Sequence, residues 1–241
     1  MLCTRFFLCL VFSEYIVIQK YAMFIVYLMM IKASKRVAEM LLDIKAVTFS
    51  FTKPYLYTFV SGIKGPMYCD NRRLISYPNK RRVVVDEVVK IAKRLDFDIV
   101  GGVSTAGIPW AALIAERLNK PMIYIRPEAK GYGKKRQIEG DMKKGDRILV
   151  IEDLVSTGGS AISAIKAVRR NGGKVGDCIF IFTYDLDVAR KNFQRTKCKM
   201  HPLLVFSDLI EVAVKRNYIS KEEKEELLKW HKNPKKYWTS I

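Results

Sequence analysis

The hydrophobic positions change their period near Pro78. From Lys32 to Ala46, apolar Val37, Met40, Leu41 and Ile44 recur on one helical face, which predicts an amphipathic helix. Thr48 to Arg72 is aromatic and turn-rich, and Pro54, Gly62 and Gly65-Pro66 break it into short strands. Pieces of that size suit a small cap rather than a main sheet. After Pro78 the elements alternate. Helices are predicted over Val83–Leu95, Trp110–Leu118, Gly159–Arg170, Val188–Phe193 and Asp208–Arg216. Strands are predicted over Phe97–Val100, Met122–Arg126, Arg147–Glu152, Cys178–Thr183 and Leu203–Phe206, with loops at Gly101–Pro109 and Pro127–Met142. Ile148-Leu149-Val150-Ile151 is apolar at every position, as in a strand covered on both faces of a parallel sheet. Strands alternating with helices predict an α/β fold with right-handed crossovers and a small N-terminal cap.

This pattern divides the chain into four parts: an apolar extension over 1–31, a helix and cap over 32–78, an α/β core over 79–220, and a charged, helical tail over 221–241. The extension is cut by Arg5, Glu14, Gln19 and Lys20, so its longest uncharged run is Tyr21 to Ile31. A spanning helix wants about 18 or more apolar residues, so the segment reads as an extension ahead of Met23, Met29 or Met30, with a membrane tether left open. No internal repeat or low-complexity tract interrupts the rest.

At 241 residues and 49% hydrophobic content the chain has ample material for a core. Its 43 basic residues against 24 acidic ones give a formal charge of +19, which favours polyanions or small phosphorylated ligands. No basic run is interleaved with aromatics, so nucleic-acid binding is the weaker reading. The 5 cysteines are scattered, without a CxxC pair, and fit a reducing, cytoplasmic setting. The 2 histidines, His201 and His231, lack triad spacing.

The candidate chemistry lies at the end of the strand opened by Arg147. Glu152 and Asp153 are adjacent acids, followed by Ser156, Thr157, Gly158, Gly159 and Ser160 at the start of a helix. A helix N-terminus presents unpaired amides with partial positive charge, and glycines let backbone wrap an anion, so a phosphate belongs there. The acids would repel that phosphate unless they serve sugar hydroxyls or Mg²⁺, directly or through water. No GK[ST] follows, so the loop is not a Walker loop.

Acid-acid, three residues, then Thr-Gly resembles the phosphoribosyl pyrophosphate (PRPP) motif of type I phosphoribosyltransferases. Three further stretches resemble orotate phosphoribosyltransferases. Thr58 to Tyr68 carries Ser61-Gly62-Ile63-Lys64 and resembles their orotate-binding segment. Gly101 to Pro109, with Thr105, Ala106 and Gly107, resembles their pyrophosphate loop, and Tyr124 to Gly140, with Arg126, Lys130 and Tyr132, their mobile catalytic loop. The resemblance runs from about Val37 to Ile219. It implies a parallel sheet flanked by helices with an N-terminal hood, and a homodimer that shares its lid across the interface. It implies transfer of 5-phosphoribose from PRPP to orotate, releasing pyrophosphate, in UMP synthesis with Mg²⁺. Lys130, Arg126 and Asp153 become the candidate catalytic residues; Glu152 and Asp153 the metal side; and Ser61, Gly62, Lys64 and Tyr68 the orotate side.

Several positions depart from the family pattern. Val60, Ala106 and Pro127 stand where a lysine is common, and Tyr132 where a histidine is usual. Phe182 to Leu186 lacks the arginine some members use to grip orotate. Another PRPP-dependent base transferase, or a PRPP-sensing regulator that binds nucleic acid, remains the alternative.

Overall fold

The computed structural model describes residues 31–52, 57–59, 61–126 and 137–235. Its first helix, α1, covers residues 31–43 and buries Val37, Met40 and Leu41, and Ile44 just beyond it is buried too, the stripe read from the sequence. Four short strands follow: β1 (Val47–Phe49), β2 (Tyr57–Thr58), β3 (Lys64–Gly65) and β4 (Met67–Cys69). They pair antiparallel as β1 with β4 and β2 with β3, apart from the main sheet. A 3-10 turn over Asn71–Ser76 leads into α2 (Pro78–Ala92). This helix begins at Pro78 rather than Val83, because proline's fixed φ suits the first turn, whose exposed polar residues carry no apolar stripe.

The core alternates β5 (Ile99–Val103), α3 (Gly107–Leu118), β6 (Met122–Ile125), β7 (Ile138–Glu139), β8 (Ile148–Val155), α4 (Gly159–Arg170), β9 (Asp177–Thr183), α5 (Asp187–Thr196), β10 (Lys199–Val205), α6 (Phe206–Lys215) and α7 (Lys221–Lys232). The sheet order is β10-β9-β8-β5-β6-β7, parallel except for β7. Several expected boundaries needed revision here: α3 starts at Gly107 inside the expected loop, β7 forms inside the expected Pro127–Met142 loop, and β8 runs past Glu152 to Val155. Gly101-Gly102, read as loop, lie inside β5, since glycine is depleted in strands and hid one. β10 starts at Lys199, not Leu203, because an edge strand tolerates the polar Lys199 and His201 that weaken its pattern.

Two apolar layers cover the sheet. One joins α1, the cap, α2, α3, α6 and α7; the other is built on α4 and α5. The central strand β8 contributes Leu149 and Ile151 to the first layer and Ile148 and Val150 to the second, which is why its sequence is apolar at every position. From β5 the chain turns to β6 on one side, then returns to β8 on the other. Helices α3 and α4 therefore leave adjacent strands on opposite faces, opening a crevice at the carboxyl ends of β5 and β8, where α/β sheets bind ligands. Among the described residues no helix is long and apolar enough to cross a membrane, and the apolar residues 1–30 lie outside them.

Candidate active site

The acid pair lies near the carboxyl end of the central strand at this crevice; β8 runs on to Val155, past the end predicted at Glu152. Glu152 is buried, only 5% exposed, and Asp153 is half-buried. The Asp153 amide donates to Glu152 Oε1 at 3.0 Å. Burial, then the neighbouring Asp153 charge, pushes the Glu152 carboxyl well above its usual range; burial also raises Asp153, against hydrogen bonds from Glu152 and the backbone. Among the described residues no lysine or arginine forms an ion pair with either acid, although the Arg72 charge acts on Asp153 and works against the rise of its pKa.

Beyond the acids the backbone turns through Ser156 and Thr157, both half-buried, into Gly158 with φ +82°, then the exposed Gly159 and Ser160 of α4. No side chain caps α4, so its leading amides face the crevice mouth unpaired with a cap. A buried threonine anchors this region from β9: Thr183 Oγ1 donates to the Val155 carbonyl at 2.9 Å and accepts from the Asp185 amide at 2.9 Å. From α5, Asn192 Nδ2 donates to the Thr157 carbonyl at 3.0 Å and fixes the hydroxyl loop.

The neighbouring strand brings the second loop. Thr105 is exposed and Ala106 half-buried, and α3 starts at Gly107, again without a side-chain cap. A Cβ on Gly107 would lie 2.5 Å from the Ile151 carbonyl oxygen and 3.4 Å from Glu152 Cα. Only a residue without a side chain lets this loop rest directly on the acid-bearing strand. The Ser104 hydroxyl is buried without a partner among the described residues, a donor suited to a phosphate oxygen. The Ser104–Thr105 peptide is cis.

The cap closes the site from the other layer. Buried Asn71 donates from Nδ2 to the Asp153 carbonyl at 2.7 Å and accepts from Cys69 Sγ at 3.3 Å. Ser61 and Gly62 sit exposed at the turn between β2 and β3, Gly62 with φ +78°, and the Lys64 side chain is exposed on β3. Tyr68 on β4 packs at 5.6 Å against Tyr57, and its hydroxyl accepts from Arg72 at 3.3 Å. Arg126 is half-buried at the end of β6; its amide donates to the Gln137 carbonyl at 2.8 Å and its guanidinium pairs with Glu139 at 3.3 Å. Strands β6 and β7 thus pair on either side of residues 127–136. Lys130 and Tyr132, with Pro127, lie outside the described residues, as does Val60.

In Phe182–Leu186, the segment that lacks the arginine some members carry, Tyr184 is buried at 1% exposure, with its ring on Phe59, Phe182 and Trp230. Tyr184 is core, and its side chain does not replace the arginine as an anion contact. The roles of Asn71, Asn192 and Thr183 were not read from the sequence, because each acts through one backbone carbonyl on β8 or its following loop. A cavity of about 560 Å³ elsewhere, bounded by Ile31, Arg36, Glu87, Ile91 and Leu203, includes none of these residues.

Residues 90–214 match the family model "Phosphoribosyl transferase domain". The orotate phosphoribosyltransferase of Coxiella burnetii is 50% identical over 204 residues, 84% of this chain and 96% of that one. That of Listeria monocytogenes is 42% identical over 205 residues, 84% and 97% respectively. Among solved structures, Leishmania donovani UMP synthase superposes with TM-score 0.69 at 31% identity over 82% of this chain, which spans 42% of that longer protein. The Aeropyrum pernix orotate phosphoribosyltransferase gives TM-score 0.63 at 29% identity, covering 73% of this chain and 97% of that one. The type I sheet with two glycine-bearing loops meeting at an acid pair, and relatives matched nearly end to end, lead to one assignment: the chain belongs to the orotate phosphoribosyltransferase family.

Proposed function

We propose that the chain transfers the 5-phosphoribosyl group from PRPP to orotate, giving orotidine 5′-phosphate and pyrophosphate in UMP synthesis. The observation that carries this reading is the contact of the Gly107 loop with Ile151 and Glu152, which brings two anion-type loops and a carboxylate pair to one crevice. In this reading Ser156, Thr157, Gly158, Gly159 and Ser160 take the 5′-phosphate at α4, and Thr105, Ala106 and Gly107 take the pyrophosphate at α3. With Ala106 in place of a lysine, backbone amides and hydroxyls carry that second contact. Glu152 and Asp153 bind the ribose hydroxyls.

The same acids fit Mg²⁺. A buried and a half-buried carboxylate, with no ion pair and no third protein ligand gathered among the described residues, suit an ion that keeps water and substrate oxygens in its shell. When bound, the ion would offset charge on the pyrophosphate. The protein's own part is to hold the ribose while the C1′–oxygen bond to pyrophosphate breaks and the orotate N1–C1′ bond forms. Charge departs with pyrophosphate, so Arg126 and Lys130 are assigned its stabilisation, and Tyr132 a hydrogen bond to a phosphate oxygen. Lys64 and the Ser61–Gly62 backbone take the orotate carboxylate, and Tyr68 faces the ring. The family resemblance adds a homodimer, which sedimentation of the purified chain tests.

The deciding experiment follows orotate absorbance with purified full-length chain, PRPP and Mg²⁺. Turnover is expected, and Asp153→Asn should lower it roughly 10- to 150-fold, the worth of one charged hydrogen bond. Lys130→Ala should cost about 10²–10³-fold. Untouched orotate alongside retained PRPP binding would overturn the assignment of the acceptor and move it to another base.

A further inference from the structure

The helix α7 reads in the sequence as a charged, helical tail, with no role beyond that. Its N-terminus is fixed by a reciprocal cap: Ser220 Oγ accepts from the Glu223 amide at 3.1 Å, and Glu223 accepts from the Ser220 amide at 2.7 Å. Its inner face carries Leu227 and Trp230, both at 0% exposure. The indole is not simply core filling. Trp230 Nε1 donates to the Lys64 carbonyl at 2.8 Å, which ties the helix to the backbone of the proposed orotate-binding hairpin.

Contact with the hairpin is close enough to dictate its sequence. A Cβ on Gly65 would fall 2.9 Å from Trp230 Cζ2 and 3.0 Å from Phe59 Cζ, so glycine is needed for β3 to lie on the indole. Phe59, at the other end of the hairpin turn, meets Trp230 edge-on at 6.0 Å. The next residue links α7 to the sheet. His231 Nε2 lies 2.7 Å from the Tyr184 carbonyl, which can only accept, so this nitrogen carries the proton. The His231 ring also stacks on Phe206 at 4.5 Å. One turn of α7 therefore joins the Lys64 hairpin to the carboxyl end of β9.

We propose that Trp230 is a positioning residue for the acceptor: it sets the height of the Lys64 hairpin over the crevice and so tunes orotate binding without touching substrate. The proposal rests on the reading of that hairpin as the orotate site. PRPP, assigned to the loops after β5 and β8, is held by other elements, so the effect should be selective. A purely structural tryptophan would weaken both substrates alike or only lower the melting temperature.

The test is steady-state kinetics on the full chain with Trp230→Phe, which keeps an aromatic ring and removes the N–H donor. KM for orotate should rise about 3- to 10-fold, with kcat and KM for PRPP within about twofold, as expected for one lost hydrogen bond acting on one substrate. Gly65→Ala, which pushes the hairpin off an intact indole, should reproduce the orotate-selective rise even if the first variant folds poorly. Equal rises in both KM values, or an unchanged orotate KM in a variant with native circular dichroism, would overturn the proposal. A wild-type chain that binds PRPP but leaves orotate intact would instead overturn the acceptor assignment, and that result is read before any variant is made.

Discussion

Replacing Gly107 by alanine tests whether contact between the two loops assembles the site. The added methyl would sit 2.5 Å from the Ile151 carbonyl oxygen, about 0.8 Å inside the roughly 3.3 Å at which carbon and carbonyl oxygen ordinarily meet. Both sides of the clash are fixed by backbone: the first turn of α3 and the middle of β8, each buried. Neither can swing away as a side-chain tip would, so one element must move by most of that distance. Overpacking of this kind costs about 1–3 kcal/mol, which lowers Tm by roughly 2–12 °C in a domain of this size. The functional loss should be larger than the stability loss. A misplacement near 1 Å costs on the order of 10²-fold in rate, so kcat/KM for PRPP should fall about a hundredfold while far-UV circular dichroism stays native. Gly176→Ala serves as the control, since its Cβ would meet nothing within 4 Å and its φ is ordinary. Its stability should lie within about 0.5 kcal/mol of wild type. Activity in Gly107→Ala within threefold of wild type, at unchanged Tm, would refute the idea that this contact builds the site.

Two further outcomes follow from the geometry. Asn71→Ala leaves the Asp153 carbonyl without its cap partner and should cost about 1–3 kcal/mol in denaturant titration, with a matching rise in KM for orotate as the cap loosens. Asp98 is held well below the usual carboxylate range, first by the Arg147 side chain and then by its backbone amide, which donates at 2.9 Å. A depressed carboxyl pKa stabilises the fold above the unfolded-state value near 4 and loses that contribution as pH falls below it. The Tm gap between wild type and Asp98→Asn should therefore be full at pH 6 and shrink through acid; a gap independent of pH would exclude the ion pair as its source.

The parts of the site that could be read from sequence are those built by consecutive residues. Glu152 to Ser160 form a strand end, a turn and a helix start, and each needs only local backbone geometry, so their spacing alone carries the chemistry. The parts that could not be read are those joined across the chain. Asn71 reaches Asp153 over 82 positions, Asn192 reaches Thr157 over 35, and Trp230 reaches Lys64 over 166. No hydrophobic period marks a side chain whose partner is one distant carbonyl. The fold shows the same division: β8, buried on both faces, announced itself, whereas the first half of β10 at the edge and the glycine pair in β5 did not.

The acid pair shows why stability and function point in opposite directions here. A carboxyl whose pKa is raised in the fold binds more protons there than in the unfolded chain, so stability falls as pH rises through the ordinary carboxylate range. At neutral pH burial makes both carboxyls oppose folding, and at Glu152 the Asp153 charge adds to that cost. The surrounding structure holds them in place regardless. Asn71 grips the Asp153 carbonyl, the Asp153 amide donates to Glu152, and the β8–β9 ladder continues to Val155. Every one of those restraints acts on backbone or on the pair itself and supplies no positive charge. Under the proposed assignment, a cation entering the crevice would offset negative charge that the fold offsets only in part, through Arg72 at Asp153, and the free energy withheld from folding would return as affinity. On the proposed assignment the two acids serve binding rather than stability, which would be the physical reason a buried strand carries a pair of carboxylates near its end.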